Sequence, residues 1–285
     1  MNPNLSGFMK IKCILKNALK KVRNKYLFNK KAKQIAAWKD QSPIFILGTQ
    51  KTGTTAIAAL LAKSCNEEVT LDLLKSIKDP AWLLRVSYGL QPFSDIVAKY
   101  EKDFSKKMIK EPWLTYFYED LVTLYPKAKF VMVVRDPFST IRSVLNRLQI
   151  PGDKARIDQD AYTDLTNIKI WKLALDSSWS GRPSEDYITA MAHRWDIASR
   201  VYLDNQDRFH LIRYEDFNAD KQAAIAALST ALGYHSHGDI EPYLDIQYQV
   251  KGKRDTDLKA FFGDENYQKI ARICGDSAAQ LGYTI

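Results

Sequence analysis

The 285-residue sequence contains only three cysteines and four histidines. Cys13, Cys65 and Cys274 lie far apart, are odd in number and lack the paired spacing of zinc ligands. A disulfide framework or a structural zinc site is therefore not expected, and a reducing compartment such as the cytoplasm fits. The histidines stand in no pattern that indicates a catalytic partner, and we assign them no role.

Long apolar runs are also missing. No stretch approaches about 18 consecutive apolar residues, so we expect no membrane-spanning helix. The first residues lack an apolar segment followed by a small-residue cleavage site, so a signal peptide is not expected. Internal repeats and low-complexity segments are absent as well, which excludes solenoid and fibrous classes.

Acidic residues are almost missing from the first 40 positions. Residues 1–40 hold eleven Lys/Arg and one acid, Asp40, a net charge of +10, whereas the rest holds 31 Lys/Arg and 32 Asp/Glu, a net charge of −1. We therefore predict a basic extension, residues 1–40, ahead of a nearly neutral domain, residues 41–285. Nucleic acid is not an expected partner, because nucleic-acid binders spread basic and aromatic residues over a folded face.

Within this extension, residues 8–22 combine lysines with apolar residues at helical spacing. The pattern predicts an amphipathic helix with a basic polar face. Such a helix can lie on an anionic membrane surface, but it can equally be solvated or packed on the domain.

Five short apolar runs alternate with helical patterns in the domain. The runs are residues 44–47, 69–71, 107–112, 128–134 and 210–214. This alternation predicts an α/β fold of the P-loop NTPase-like three-layer type, with a central, mainly parallel β-sheet flanked by helices. Between the second and third runs, we expect Trp82, Tyr88 and Phe93 to belong to the core.

The loop after the first run reads GTQKTGTT, residues 48–55. A strand, a glycine-bearing loop and a helix form the usual cradle for a phosphate group. The loop lacks the Gly-Lys-Ser/Thr ending of NTP-binding loops: Thr54 follows Gly53, and Lys51 lies two residues before that glycine. A lysine at this place can neutralise charge on a leaving oxygen without a metal, which suits transfer of a sulfuryl group. The alternative is a tight strand–helix turn that binds no ligand.

Other charged and polar residues follow the remaining predicted strands. Asp72, Lys110-Glu111, Arg135 and Tyr214 should share the rim formed by the carboxyl ends of parallel strands, where ligands bind in such sheets. Arg135 and Ser143, eight residues later, are suited to hold a second phosphate through a bidentate guanidinium and a hydroxyl.

These motifs resemble those of sulfotransferases that use 3′-phosphoadenosine-5′-phosphosulfate (PAPS). GTQKTGTT resembles the 5′-phosphosulfate loop of that family, and VVRDPFSTIRSVLNR resembles its 3′-phosphate motif. KEPWL at 110–114, FHLIRYEDF at 209–217 and the C-terminal CGDSAAQLGY resemble three further family segments. The resemblance covers residues 43–285 and implies PAPS as donor, PAP as product and no required metal.

The resemblance also implies roles for individual residues. Lys51 would contact the bridging oxygen of the leaving phosphate, and Arg213 and Tyr214 would lie near the adenine. The remaining implied donor contacts are Thr52, Gly53, Thr54 and Thr55 to the 5′-phosphate, Arg135 and Ser143 to the 3′-phosphate, and Lys251, Gly252 and Lys253 in a loop closing over the 3′-phosphate. For Lys251, Gly252 and Lys253 a solvated charge run is an equal alternative.

The base that accepts the proton of the acceptor is left open. Cytosolic members that sulfate small molecules place a histidine shortly after the central lysine, but here Glu111, Pro112 and Trp113 follow Lys110. This departure points to the carbohydrate- and lipid-sulfating branches, where a carboxylate serves. Asp72 is one candidate, with a helix N-cap as its alternative role, and Glu111 is the other, with a salt bridge or cap as its alternative. Lys110 would stabilise the oxygens of the transferring group.

The sequence thus predicts a PAPS-dependent sulfotransferase acting on a hydroxyl of a carbohydrate or lipid-linked acceptor. It would be cytoplasmic, with a peripheral location on the inner face of a membrane if residues 8–22 bind lipid. A nucleotide or sugar kinase with an atypical loop, and a non-catalytic module that binds PAP or a nucleotide, are the two alternatives.

Overall fold

The computed structural model describes residues 4–157, 169–235, 238–246 and 257–285. Within these ranges five strands form one sheet in the order β2-β3-β1-β4-β5, and every neighbouring pair is parallel. The strands are β1 Ile44–Gly48, β2 Val69–Thr70, β3 Met108–Lys110, β4 Lys129–Val134 and β5 Phe209–Arg213.

The register brings the carboxyl ends of the strands to one edge. Ile46 of β1 lies beside Lys110 of β3, and Gly48 lies beside Val133 of β4. The loop that leaves β1 therefore emerges at the centre of this edge, where ligands bind in open parallel sheets.

Helices connect the strands and cover both faces. The N-terminal half contains α1 Asn4–Asp40, α2 Thr54–Cys65, α3 Leu74–Ile77, α4 Ala81–Ser87, α5 Phe93–Lys99, α6 Glu101–Phe104, the 3₁₀ helix Pro112–Phe117 and α7 Tyr118–Leu124. The C-terminal half contains α8 Pro137–Leu148, α9 Lys169–Lys172, α10 Tyr187–Leu203, α11 Tyr214–Ala219, α12 Lys221–Ala231, α13 Leu258–Gln280 and three short 3₁₀ helices at Ser178–Ser180, Gln206–Arg208 and Glu241–Tyr243.

The central strand divides the apolar core into two layers. Phe45 and Leu47 pack on one face of the sheet, in a core with residues of α4, α5, α7, α8, α10 and α13. Ile44 and Ile46 pack on the opposite face, against α2, α11 and α12. Strands covered on both faces read as continuous apolar runs, which is why they were recognisable in the sequence. The predicted three-layer α/β fold with a parallel sheet is confirmed.

Helix α1 is longer than the predicted segment 8–22 and joins the domain at its C-terminal end. Trp38 is 3% exposed and lies 6.5 Å from the ring of Tyr125, while Lys31 pairs with Asp95 at 2.6 Å. The predicted division at residue 40 therefore falls after a helical turn that contributes to the core. No helix in the described ranges is both long and apolar enough to cross a membrane.

One core expectation is wrong. Trp82 and Phe93 are buried as predicted, but Tyr88 is 58% exposed. Tyr88 follows the last residue of α4, and its N–H closes that helix on the carbonyl of Leu84. The chain turns away from the core at this point, so the side chain faces solvent.

Candidate active site

The loop between β1 and α2 turns through three left-handed residues. Gly48, Lys51 and Gly53 have φ angles of 145°, 74° and 90°. Glycine adopts such angles freely, but a lysine does so at a cost of roughly 1–2 kcal/mol. A Cβ atom on Gly48 would meet the carbonyl oxygen of Val133 at 2.5 Å, so the loop lies tightly against β4. The loop therefore carries a strained lysine that its surroundings must hold in place.

The N-terminus of α2 faces this loop without a side-chain cap from any described residue. Gly53 occupies the N-cap position, and the Thr52 hydroxyl donates to the Thr49 carbonyl at 2.8 Å instead of capping the helix. The first N–H groups of the helix and its dipole thus remain suited to an anion, as in phosphate-binding loops. Thr54 and Thr55 are the first two residues of α2, so their N–H groups belong to this uncapped helix start.

Thr115 ties the start of the loop to the 3₁₀ helix that follows β3. Its hydroxyl accepts from the N–H of Gly48 at 2.8 Å and donates to the carbonyl of Gly48 at 2.9 Å. Thr115 is fully buried, so both polar groups of Gly48 are satisfied without water. This pair of bonds fixes where the loop leaves β1.

Arg135 connects the end of β4 to the loop. Its Nη1 donates to the carbonyl of Lys51 at 2.9 Å, and its guanidinium lies 4.5 Å from the centre of the Tyr214 ring. Tyr214 also lines Gly53, where a Cβ atom would come within 2.4 Å of the tyrosine ring. The structure therefore brings together Lys51, Gly53, Arg135 and Tyr214, which sequence analysis had assigned to one site.

The positive charges around the loop repel one another. The pKa of Lys51 is lowered to about 8, first by burial and then by the nearby charges of Arg147 and Arg135. Burial and Arg135 likewise lower the pKa of Arg142. The carboxylate of Asp136 offsets part of the repulsion at Arg142. The remaining excess of positive charge is suited to a ligand with several negative charges. Ser143 lies half-buried on α8, beside Arg142 in the sequence.

Asp72 and Lys110 form an ion pair on the other side of the loop. Lys110 Nζ lies 2.7 Å from Asp72 Oδ1, with the lysine side chain 3% exposed and the aspartate side chain 34% exposed. Asp72 therefore binds Lys110, and its carboxylate remains accessible to a molecule arriving at the end of β2.

Glu111 is sealed inside the protein. Its two carboxylate oxygens accept from the N–H groups of Leu73 and Trp113, each at 3.2 Å, so Glu111 caps the 3₁₀ helix. Burial raises the pKa of Glu111 to about 7, the charge of Asp72 adds to this, and Lys110 and the two N–H groups oppose it. The carboxyl group can therefore take up or release a proton near neutral pH, although its oxygens are already engaged.

The strand order separates these groups. The acidic residues follow β2 and β3, the arginine and tyrosine follow β4 and β5, and Lys51 follows β1 between them. Lys251, Gly252 and Lys253 lie outside the described residues. Among the described residues, no group of His, Cys, Asp and Glu has the arrangement of a metal site.

Sequence analysis missed four residues around the loop. They are Thr115, Arg147, Arg194 and Trp195. Trp195 Nε1 donates to the carbonyl of Arg135 at 2.9 Å, and Arg194 Nη2 donates to Gln50 Oε1. Arg194 had a detectable signal, because at helical spacing it falls between the apolar residues Met191 and Ala198, where a charge is unexpected.

Comparison with known proteins agrees with the geometry. A profile of the Sulfotransferase family matches residues 82–237, more than half of the chain. That match includes Glu111, Arg135, Ser143 and Tyr214, whereas Lys51 and Asp72 precede it. A search of curated protein sequences finds no match.

Two solved structures share the fold. A sulfotransferase from Alicyclobacillus acidocaldarius superposes with a TM-score of 0.50 at 14% identity, covering 86% of this chain and 97% of the other. The sulfotransferase STF9 from Mycobacterium avium superposes with a TM-score of 0.53 at 12% identity, covering 91% of this chain and 82% of the other. At these identities the likeness concerns the fold, and the family match carries the assignment. The chain therefore belongs to the sulfotransferase family, whose members are transferases of sulfuryl groups.

Proposed function

We propose that the protein transfers a sulfuryl group from PAPS to a hydroxyl group of a carbohydrate or lipid-linked acceptor and releases PAP. The observation that carries this proposal is the group of Lys51, Arg135 and Arg147 at the loop before the uncapped start of α2, with Arg142 beside Arg135. A donor with a phosphosulfate and a separate phosphate is the kind of anion that such a cluster would bind.

The residues present fit this donor. The bend at Gly53 leaves the N–H groups of Thr54 and Thr55 directed to a phosphate, as helix N-termini are in phosphate sites. Arg135 and Ser143 supply a guanidinium and a hydroxyl for the second phosphate, and the Tyr214 ring offers an aromatic face beside them. Lys251, Gly252 and Lys253 remain a proposed closing loop.

PAPS supplies the sulfuryl group, and Lys51 stabilises negative charge on the oxygen from which that group departs. The lysine does so only while protonated. Its lowered pKa makes the ammonium easier to deprotonate, and a bound anion would raise that pKa again. Lys110 is the last residue of β3, so it lies at the same edge of the sheet and adds positive charge on the acceptor side.

We assign the general base to Asp72. The raised pKa favours Glu111 as a base near neutrality, but access favours Asp72, because the Glu111 oxygens are buried and hold two backbone N–H groups. A base must first reach the proton it removes, so access decides. In this proposal Lys110 holds the Asp72 carboxylate in place, and Glu111 fixes the segments that carry both.

The experiment that tests the donor mechanism replaces Lys51 with Ala and measures sulfate transfer from PAPS. We expect kcat to fall by about 10² or more, as for loss of a group that stabilises transition-state charge. Lys63→Ala, which removes a lysine at the far end of α2, is the matched control and should retain activity. Unchanged turnover in K51A would contradict the mechanism.

The same assay separates the alternatives. Transfer from PAPS that persists in EDTA excludes a kinase, which requires ATP and Mg²⁺. A non-catalytic module would bind PAP in calorimetry and show no turnover. For the base, Asp72→Asn should abolish transfer while calorimetry still detects PAP binding, and retained transfer would remove Asp72 from the role.

We also propose that α1 holds the enzyme on the cytoplasmic, anionic face of a membrane. Leu19, Val22, Tyr26 and Phe28 are between 66% and 73% exposed, on a helix that also carries exposed lysines and the exposed Arg23. Exposed apolar and basic side chains on one segment are typical of helices that lie in an anionic interface.

Vesicle cosedimentation tests this location. The full chain should bind vesicles that contain anionic lipid, bind vesicles of phosphatidylcholine alone much less, and lose binding when residues 1–28 are removed. Equal binding by the truncated chain would show that α1 is not the membrane contact.

A further inference from the structure

Arg194 is a buried arginine placed against the catalytic loop. It lies in the middle of α10 and is 3% exposed, and burial lowers the pKa of its guanidinium. Within the described residues, Tyr116 is the one titratable group that offsets this burial, and a tyrosine hydroxyl is neutral at ordinary pH. A charge buried without a carboxylate partner destabilises the fold, so its presence calls for another explanation.

The contacts of Arg194 direct its charge toward the loop. Nη2 donates to Gln50 Oε1, Nη1 donates to the carbonyl of Ala174 at 3.3 Å, and the guanidinium lies 4.7 Å from the centre of the Trp113 ring. The aromatic ring and the Ala174 carbonyl hold the planar group in one orientation. That orientation presents the donor to Gln50, which is itself 9% exposed.

Gln50 immediately precedes the strained Lys51. Lys51 has a φ angle of 74°, and its carbonyl accepts from Arg135 at 2.9 Å. Arg194 and Arg135 therefore hold two consecutive residues of the loop, one through a side chain and one through the backbone. A non-glycine residue persists in this conformation when its surroundings fix it.

Helix α10 contacts both phosphate motifs within one turn. Arg194 binds Gln50, and its neighbour Trp195 donates to the carbonyl of Arg135 at 2.9 Å. The helix thus sets the position of the loop relative to Arg135 from behind the site.

We infer that Arg194 is a positioning residue for sulfuryl transfer, which through Gln50 holds the Lys51 ammonium where the leaving oxygen develops charge. This inference rests on the proposed role of Lys51. Arg194 does not touch the donor in this account. Its contribution is geometric, since a small displacement of a catalytic group can lower a rate by about 10².

The test compares Arg194→Met, Arg194→Lys, Gln50→Leu and the double variant R194M/Q50L with the intact chain. Methionine removes the charge and the donors, whereas lysine keeps the charge but lacks the fork that reaches Gln50 and Ala174 together. Arg200→Met is the control, because Arg200 lies on the same helix, contacts Asp196 and does not reach the loop. Each variant is assayed for kcat, for KM of PAPS, for PAP affinity by calorimetry and for Tm.

We expect R194M to lower kcat by roughly 100-fold and R194K to lower it by roughly tenfold. The PAP affinity of both variants should stay within about threefold of that of the intact chain. The Tm of R194M should change little, because removing the desolvation cost of the buried charge offsets the loss of its hydrogen bonds to Gln50 and Ala174. A large loss of kcat at nearly unchanged Tm is not what a purely structural residue would produce. The kcat of R194M/Q50L should be no lower than that of R194M, because both substitutions remove the same hydrogen bond between Arg194 and Gln50.

Wild-type kcat in R194M, or losses that multiply in the double variant, would overturn the inference. If R194M does not fold, Q50L and R194K decide it, and wild-type kcat in both would overturn it equally. Failure of the underlying mechanism is distinguishable, because K51A would then retain turnover whatever the Arg194 variants do.

Discussion

In the proposed mechanism Lys51 acts only while it is protonated, and its surroundings favour loss of that proton. Burial and the charges of Arg147 and Arg135 lower its pKa to about 8. Because kcat/KM reports the free enzyme, we expect kcat/KM for PAPS to fall as the pH rises through about 8. Measurement of kcat/KM for PAPS between pH 6 and 10 would show this decrease.

Lys51→Arg supplies the control for that profile. An arginine does not lose its proton in this range, so any activity that K51R retains should lack the decrease at pH 8. An identical decrease in both proteins would assign it to another group.

Glu111 makes stability depend on pH in the direction opposite to a paired carboxylate. Its pKa rises from the ordinary 4.5 to about 7 in the folded protein, so the folded state binds the proton more tightly. The contribution of this proton to the free energy of unfolding is fully present below pH 4.5 and is lost as the pH rises through 7. The free energy of unfolding falls by up to about 1.4 kcal/mol per pH unit in this range.

Glu111→Gln removes this titration. Relative to E111Q, the intact protein should lose roughly 3 kcal/mol of unfolding free energy between pH 4.5 and 7, as measured by urea denaturation. A difference between the two proteins that stays constant across this range would contradict the buried-carboxyl interpretation.

At the residue scale, the sequence predicted the groups whose spacing is local. Lys51, Gly53 and Arg135 were identified because glycine positions and a strand end are visible in the chain. Arg194 was missed because it acts on Gln50, which is 144 positions away. Only the fold brings that pair together.

At the scale of elements, the 3₁₀ helix Pro112–Phe117 determines where the loop between β1 and α2 begins. Thr115→Val keeps the side-chain shape but leaves the N–H and carbonyl of Gly48 buried and unpaired. Each unpaired group costs about 1–3 kcal/mol, so T115V should lose several kcal/mol of unfolding free energy and also lower PAP affinity.

Thr123→Val is the matched control. Thr123 donates to the carbonyl of Glu119 one helical turn away and is exposed, so its loss should cost under about 0.5 kcal/mol. Equal losses in T115V and T123V would show that Thr115 does not hold the loop.

The strands were predictable within one or two residues, whereas the bounds of α1 were not. Buried strands stand out because apolar residues follow one another without interruption. The segment after β3 is a 3₁₀ helix followed by α7, since Glu111 caps its start with a geometry that sequence periodicity does not reveal. The C-terminal helix begins at Leu258 and bends at Gly263, whose φ angle is 66°.

At the scale of the whole molecule, the charge asymmetry divides the chain less simply than composition suggests. The net charge of +10 lies in residues 1–40, but Trp38 is part of the core. Removing residues 1–28 should change Tm little, whereas removing residues 1–40 should cost about 3 kcal/mol or more, since it deletes a buried tryptophan.

Scanning calorimetry of both truncated chains checks this, with Trp38→Ala in the full chain as the control. W38A should reproduce most of the loss seen on removing residues 1–40. A fully stable chain 41–285 would place the domain boundary at residue 40 after all.

The strand order has a further consequence for how such an enzyme diversifies. The arginines that follow β4 belong to the half of the sheet that would recognise the donor, and Asp72 and Lys110 belong to the other half. Substitutions at exposed positions between residues 74 and 107 can therefore accumulate without disturbing the donor half, as long as Asp72 and buried residues such as Trp82 and Phe93 are kept. Related enzymes with this strand order can therefore change their acceptor through substitutions in one segment. A chimera that exchanges this segment between two such enzymes should change the acceptor and keep the donor.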